Sequence, residues 1–518
     1  MVLEMADINF QYKGLMTFAL IIFFIILIFI GLYFKNKNRS LTDYVLAGRN
    51  LPLFVVISTI ISIWICAGPL IGGASNAYLF GLQGVISDPF SAALCLVLMS
   101  IFFAKILRGK NFRTICDIFF ARYGNAAGLI SCIIMIFIEI GWVGSQLVAM
   151  SAILKIIINI PNMYSLIICC IIVSIYSYLG GMKAIAASSV VFFFFIIVGI
   201  LLLFPYIIQL LGGFEIYRSA KLSAFDIPFW NLLPTKNEGY LGYTGINGWV
   251  YYIGAWFSIG LGSLCAQDLA LPLLSSKNEK HAAKAALFSA PIYLIIGIIG
   301  PLLGIAFYVY MPGISIAETE NIIPFLGTLI SNPIFSILFF LAIFSILIST
   351  CAGAAFSAST IIGCSLFPAI KPDLDEYSQL TITKISIPAT IFTALFLALK
   401  VTAVYRIMVI SWTILLVGLM ASFIAAFFWK KANHIGAVIS ILVGIYSWVV
   451  LITLYLPVTV KNNTDIVEGT HIYWEWAIWD AVYISSTWAF LISVITLIVV
   501  SLITQKFDQS NMDNIKKD

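Results

Sequence analysis

The chain has 518 residues, of which 62% are hydrophobic and only 10% are charged, and its mean hydropathy is +1.06. Soluble domains are about half apolar and a quarter charged, so the composition excludes a water-soluble enzyme or binding module and describes an integral membrane protein. The net charge of +5 follows from the sorting of basic residues across a bilayer and gives no reason to expect nucleic acid as a partner.

Apolar runs long enough for a ~30 Å hydrocarbon core fall at 16–33, 52–80, 86–104, 125–154, 163–181, 186–211, 247–267, 284–310, 333–364, 381–399, 405–429, 434–457 and 481–503, which makes thirteen predicted spans. Placing the amino terminus outside puts most of the 28 basic residues into cytoplasmic loops, among them Arg49, Arg108, Arg113, Lys277, Lys371 and Lys430, and puts the carboxyl terminus inside. The expected location is the plasma (cytoplasmic or inner) membrane, with many passes. The first run keeps basic residues on its inner flank and lacks a small-residue cleavage site, so it reads as an anchor and not a removed signal peptide.

The cysteines lie in apolar spans or inward-facing segments, without CxxC or Cys/His spacing, so neither a disulfide framework nor a bound metal cofactor is expected. The external connections 212–246, 311–332 and 458–480 are too short for a soluble domain. The aromatic stretch at 470–480 reads as an interface belt, and His281, His434 and His471 as solvated residues at loop edges.

Two predicted spans are interrupted. Gly68, Pro69, Gly72 and Gly73 fall inside the second, while Gly260, Gly262, Gln267 and Asp268 fall inside the seventh, five spans later. Each interruption alone is compatible with a tolerated kink. Their pairing points to an inverted repeat, in which broken helices build a binding site near the midplane from freed backbone groups.

The segment 345–360, SILISTCAGAAFSAST, places hydroxyl side chains in an otherwise apolar span. On a helix, Ser349 and Thr350 lie three and four positions after Ile346, so their hydroxyls and the Ile346 carbonyl converge. The break near Gly68 and Pro69 would free carbonyls at Ser62 and Ile65. Five neutral oxygens of this kind replace the water shell of a sodium ion without a buried formal charge. The competing reading is that these hydroxyls bond back to their own helix or join neighbouring helices.

Several stretches taken together resemble the sodium:solute symporter family: DYVLAGRNLP at 43–52, YSYLGGMKAIA at 176–186, AQDLALPLLSSKNEKHAAKAAL at 266–287 and LISTCAGAAFSAST at 347–360. The resemblance covers about residues 40–365. It implies an all-α membrane protein with a five-plus-five, leucine-transporter-like inverted repeat. In this chain that means a single transport domain over 1–518: an extra helix and link at 1–40, the core at 41–430, two further helices at 431–503 and a cytoplasmic tail at 504–518. Carried over residue by residue, the family's sodium ligands fall on Ser62, Ile65, Ile346, Ser349 and Thr350. The chain departs from the family's pattern at Ser188, Ser189 and Phe192, at Ala352, and at Leu271 and Pro272. Two carboxylates are lost from the ion path at these positions, which counts against a second sodium site.

For the solute, the broken spans and their neighbours offer Trp64, Asp88, Ser91, Trp142, Gln146 and Ser263. A carboxylate in a span is costly and functional by default, although Asp88 also suits the solvated outer end of a helix. Tryptophans and a carboxylate together would cage an ammonium group. The stretches FFAKILRGKNFRTICDIFFARYG and IEIGW are similar to the choline-transporter branch, whose cage tryptophans would match Trp64 and Trp142; a third falls near Cys265 and Ala266, which are not aromatic. Glu139 reads either as a lining residue of the same cavity or as the partner of an inner cation. The expected function is secondary active uptake of a small organic solute (an amine, choline-like compound or amino acid) with sodium as the coupling ion. No other cofactor and no obligate protein partner is implied. A proton-coupled or uncoupled carrier on the same fold, and a solute sensor without net transport, are the alternatives. No nucleophile, base and orienting group stand at spacings that suggest an enzyme.

Overall fold

The structure is a computed structural model that describes residues 11–35, 40–110, 112–234, 239–399, 404–467 and 471–507, with side chains described outside 404–407 and 462–476. Residues 1–10 and 508–518, and the first half of the aromatic stretch at 470–480, therefore lie outside the described residues and side chains. What is described is helical apart from loops and three isolated bridges.

Among the described residues ten helices are long and apolar enough to cross a membrane, and Gly245–Cys265 with Gln267–Leu274, bent by 44°, makes an eleventh when the pair is taken as one broken span. Two of the ten runs are double. Gly68–Gly109 turns at Gly81 (φ 63°, ψ −153°), and Asn162–Leu210 breaks at Gly181 (φ 60°, ψ −160°). Both conformations belong to glycine, and a Cβ at Gly181 would lie 2.6 Å from the Tyr44 backbone. Divided there, with the short Leu53–Trp64 helix joined to the segment after it, the runs correspond to the thirteen expected spans.

The outermost helix, Lys13–Lys35, buries Met16, Leu20, Phe23, Leu27 and Gly31, a stripe at helical spacing. It packs that stripe on Asn162–Ile196, where Gly31 approaches Leu179. Phe18 and Phe29, each more than 60% exposed, face away from the protein, as a surface solvated by lipid requires.

At the centre stands Pro333–Ile361, in contact with Leu53–Trp64, Asn125–Ile158, Asn162–Ile196 and Glu376–Ala398. Proline opens this helix where its missing N–H costs nothing, and the Asn332 side chain accepts from the N–H groups of Ile334 and Phe335. Being surrounded, the helix is apolar on every face except where its hydroxyls cluster.

A glycine seam holds the half of the second span that follows Ala67. Gly300 and Gly304 lie on Ile299–Tyr310, and a Cβ on either would come within 2.3 Å of the Pro69 carbonyl or 2.1 Å of the Ala74 carbonyl. Small residues let helix backbones meet at this range in lipid, where no hydrophobic effect drives helices together.

The last two helices, His434–Val467 and His471–Ile503, pair chiefly with each other. Asp480 ties them to the core by accepting hydrogen bonds from the hydroxyls of Tyr243 (2.7 Å) and Tyr251 (2.8 Å).

Candidate ion and solute site

The second span is broken at Ile65–Ala67, between Leu53–Trp64 and the helical turn from Gly68. The cause lies just beyond it, at Pro69. Pro69 has no N–H, so the Ile65 carbonyl four residues earlier loses its helical donor. The neighbouring orphans are met by side chains. Ala67 N–H donates to Gln146 Oε1 at 3.1 Å, and Gly68 N–H points to Cys66 Sγ at 3.2 Å. This leaves the Ile63 and Trp64 carbonyls open, and they accept instead from Thr350 (2.7 Å) and Tyr293 (3.3 Å).

Thr350 Oγ1 thus has three carbonyls around it: Ile63 at 2.7 Å, Ile346 at 3.0 Å and Ile65 at 3.4 Å. One turn along the broken helix, Ser349 donates to Ser62 Oγ at 3.0 Å. All these residues are buried. The Ile346 carbonyl keeps the Thr350 N–H of its own helix, but the Ile63 and Ile65 carbonyls are freed by the break, and the one proton of the Thr350 hydroxyl cannot satisfy both. A surplus of neutral oxygens at the junction of two helices is the arrangement that a small alkali cation completes.

Beyond the break lies a small cavity lined by Met135, Ile138, Glu139, Trp142, Ala266, Gln267, Asp268, Trp412 and Leu415. It combines Asn125–Ile158, the bend at Ala266 and the helix that carries Trp412. The Trp142 and Trp412 rings meet edge to face at 4.9 Å, and Trp64 stands 6.1 Å from Trp412 and 6.1 Å from Tyr293. The indole N–H groups of Trp64, Trp142 and Trp412 are buried without acceptors. That of Trp64 faces Asp268 without reaching hydrogen-bond geometry.

All the ion candidates from the sequence, Ser62, Ile65, Ile346, Ser349 and Thr350, come together at the first break, and Ile63 joins them. The solute candidates divide. Trp64 and Trp142 share the aromatic cluster. Asp88 is 2% exposed and accepts from Tyr293 Oη at 2.7 Å, which rules out the solvated helix end. Its Oδ2 lies 3.1 Å from the space a Cβ on Gly68 would take, so it abuts the break. Ser263 Oγ is buried without a partner at the second break. Ser91 donates to the carbonyl of Ser87 on its own helix at 2.6 Å, and Gln146 is taken up by Ala67 and Ser145. Of the six solute candidates, Trp142 alone is among the residues that line the cavity.

Sequence reasoning missed Trp412 and Tyr293, which reach the site from distant segments. Gln267 and Asp268 stood out only as polar interruptions of a span, yet both line the cavity. Glu139 lines it too, which settles its two readings in favour of the cavity.

A match to the sodium:solute symporter family covers residues 44–444. The sodium/pantothenate symporter of Haemophilus influenzae is 25% identical over 431 residues, 81% of this chain and 86% of that protein. The high-affinity choline transporter 1 of Torpedo marmorata is 24% identical over 447 residues, 82% of this chain and 74% of that protein. Among solved structures, a substrate-bound, outward-open Na+-coupled sialic acid symporter superposes with a TM-score of 0.74 at 16% identity, covering 96% of this chain and 99% of that one. At that identity the likeness speaks for the fold alone: the leucine-transporter-like architecture of paired broken helices.

Proposed function

The chain belongs to the sodium:solute symporter family, a family of transporters and not of enzymes, and from that premise we propose the ion, the solute class and the residues that serve each. Sodium binds between Ser62, Ile65, Ile346, Ser349 and Thr350, with the Ile63 carbonyl as a further oxygen. The observation that carries this reading is the surplus of acceptors around Thr350 Oγ1. The solute is a small organic cation with an ammonium group, held among Trp64, Trp142 and Trp412 near Asp88, with Ser263 at the second break. Cation–π attraction to an indole is worth ~0.5–2 kcal/mol per contact, and the buried carboxyl of Asp88 favours positive charge. Ser91 and Gln146 serve this site indirectly, by fixing helix backbones. The Torpedo relative, named for choline, is consistent with this solute class.

Trp64 and Asp88, placed with the solute, border the unwound segment whose carbonyls hold the ion, so each ligand bears on the backbone that serves the other. Uptake then follows by alternating access, with the amino terminus outside and the carboxyl terminus in the cytoplasm. One sodium ion falling through ~100 mV supplies ~2.3 kcal/mol, and a tenfold gradient adds ~1.4 kcal/mol. Together they sustain accumulation of roughly several hundredfold.

The test is uptake of amines by the purified protein in proteoliposomes, with sodium replaced at fixed pH. Uptake that stops without sodium is the expected result. Uptake that follows a proton gradient, and ignores sodium, would refute the assignment, and ligand binding without any uptake would mark a sensor.

A further inference from the structure

The cavity holds two carboxyl groups that the sodium site does not use. Glu139 and Asp268 come from different helices, are 4% and 2% exposed, and line the same small space. They are near enough to act on each other electrostatically, and the backbone at Asp268 faces the Glu139 carboxyl. Asp268 Oδ1 accepts from the N–H of Leu269 at 2.9 Å; Oδ2 is buried with no donor in hydrogen-bond geometry, although the Trp64 indole N–H faces the carboxyl. The side chain next to it is in the same condition. Gln267 Oε1 is fixed by the N–H of Ile115 at 2.8 Å, while its Nε2 is buried without an acceptor. None of the nine lining residues is basic.

A buried acceptor without a donor is costly, and a buried charge more so. An aromatic wall holds any cation by its ring quadrupole and asks for no hydrogen on it. An open carboxyl oxygen asks for both a positive charge and a hydrogen-bond donor. A quaternary ammonium meets only the first requirement, because methyl groups cover its nitrogen. A primary or secondary ammonium meets both. The cavity also lacks an aromatic side chain at Ala266, beside the carboxyl pair, so part of its wall is built for hydrogen bonds instead of ring faces.

We propose that Glu139 and Asp268 form the recognition site for an N–H-bearing ammonium head group, which makes this protein a carrier of primary or secondary amines and sets it against quaternary ones. This rests on the reading above that the solute is an amine. It adds the class of amine and the two residues that choose it.

The experiment uses the full chain, purified, with sodium present, and the series ethanolamine, N-methylethanolamine, N,N-dimethylethanolamine and choline. Thermal stabilisation and competition for uptake are measured for each. Affinity is expected to fall along the series, by roughly tenfold or more from the first member to the last, as charge-assisted hydrogen bonds are lost. Glu139→Gln and Asp268→Asn are each expected to weaken ethanolamine by about tenfold and to flatten the series. Their sodium-induced stabilisation should stay at the wild-type level, which reports an intact fold. Choline binding as tightly as ethanolamine to the wild-type protein would overturn the inference and leave the amine reading standing, and this arm needs no variant to fold. Failure of all four compounds would take down the amine reading, and this inference with it.

Discussion

The two breaks in this bundle solve opposite electrostatic problems. At Ile65–Ala67 the chain gathers uncharged oxygens: carbonyls of Ile63, Ile65 and Ile346 around one threonine hydroxyl, and a serine pair one turn away. At Ala266 it gathers acids, Glu139 and Asp268, under a roof of indoles. The contrast teaches that a break in a membrane helix specifies no particular ligand, because the neighbours that fill the gap decide it. Neutral oxygens in number suit a bare ion that gives up its water shell. Carboxyls with an unpartnered oxygen suit a solute that brings its own hydrogens.

The comparison is broken most directly by removing the hydroxyls. Ser349→Ala with Thr350→Ala is expected to abolish sodium stimulation, with apparent sodium affinity falling roughly a hundredfold or more, since two contacts to a charged ligand are lost together. Sodium titration of uptake in proteoliposomes checks it, and an unchanged titration would mean that the ion binds elsewhere. Thr350→Val, which keeps the shape and loses the oxygen, should weaken sodium by about tenfold, whereas Thr350→Ser should stay within about threefold of wild type.

On the acidic side, Trp412→Ala should weaken amine binding by roughly 2- to 30-fold, the range of one cation–π contact. In the same variant sodium affinity in the absence of solute should not change. If sodium and amine weaken together, the two breaks do not act as separate sites. The smallest effect is expected at the periphery. Asp480→Asn weakens the hold on Tyr243 and Tyr251, and should lower the melting temperature by a few degrees while leaving both ligands bound as before.

Much of the proposed sodium site was legible because its signals are local. A hydroxyl pair one turn after Ile346, and a glycine–proline pair that must orphan carbonyls, are read from spacing and covalent chemistry alone. Even so, the break begins at Ile65 and not at Gly68, since the orphan made by a proline lies four residues before it. The solute site was legible only in part. Trp412 and Tyr293 owe their positions to tertiary packing, about 270 residues from Trp142 and 230 from Trp64 in the sequence, and no periodicity marks them.

Ser91 and Gln146 show the reverse failure. Both are polar residues in apolar spans, and both looked like solute ligands. A serine in a helix always has its own turn's carbonyl within reach, and Ser91 takes it. Gln146 answers the Ala67 N–H that the break itself exposes. A polar side chain in a membrane helix therefore has to be checked against the orphans nearby before it is assigned to a ligand.

The glycine seam between residues 68–80 and Ile299–Tyr310 has a mechanical corollary. Backbones interlocked at that range, with Gly300 against Pro69 and Gly304 against Ala74, leave no slack for sliding, so the two segments swing as one lever. The fulcrum would then be the gap at Ile65–Ala67, and an ion at the proposed site beside it would clamp the joint about which the lever turns.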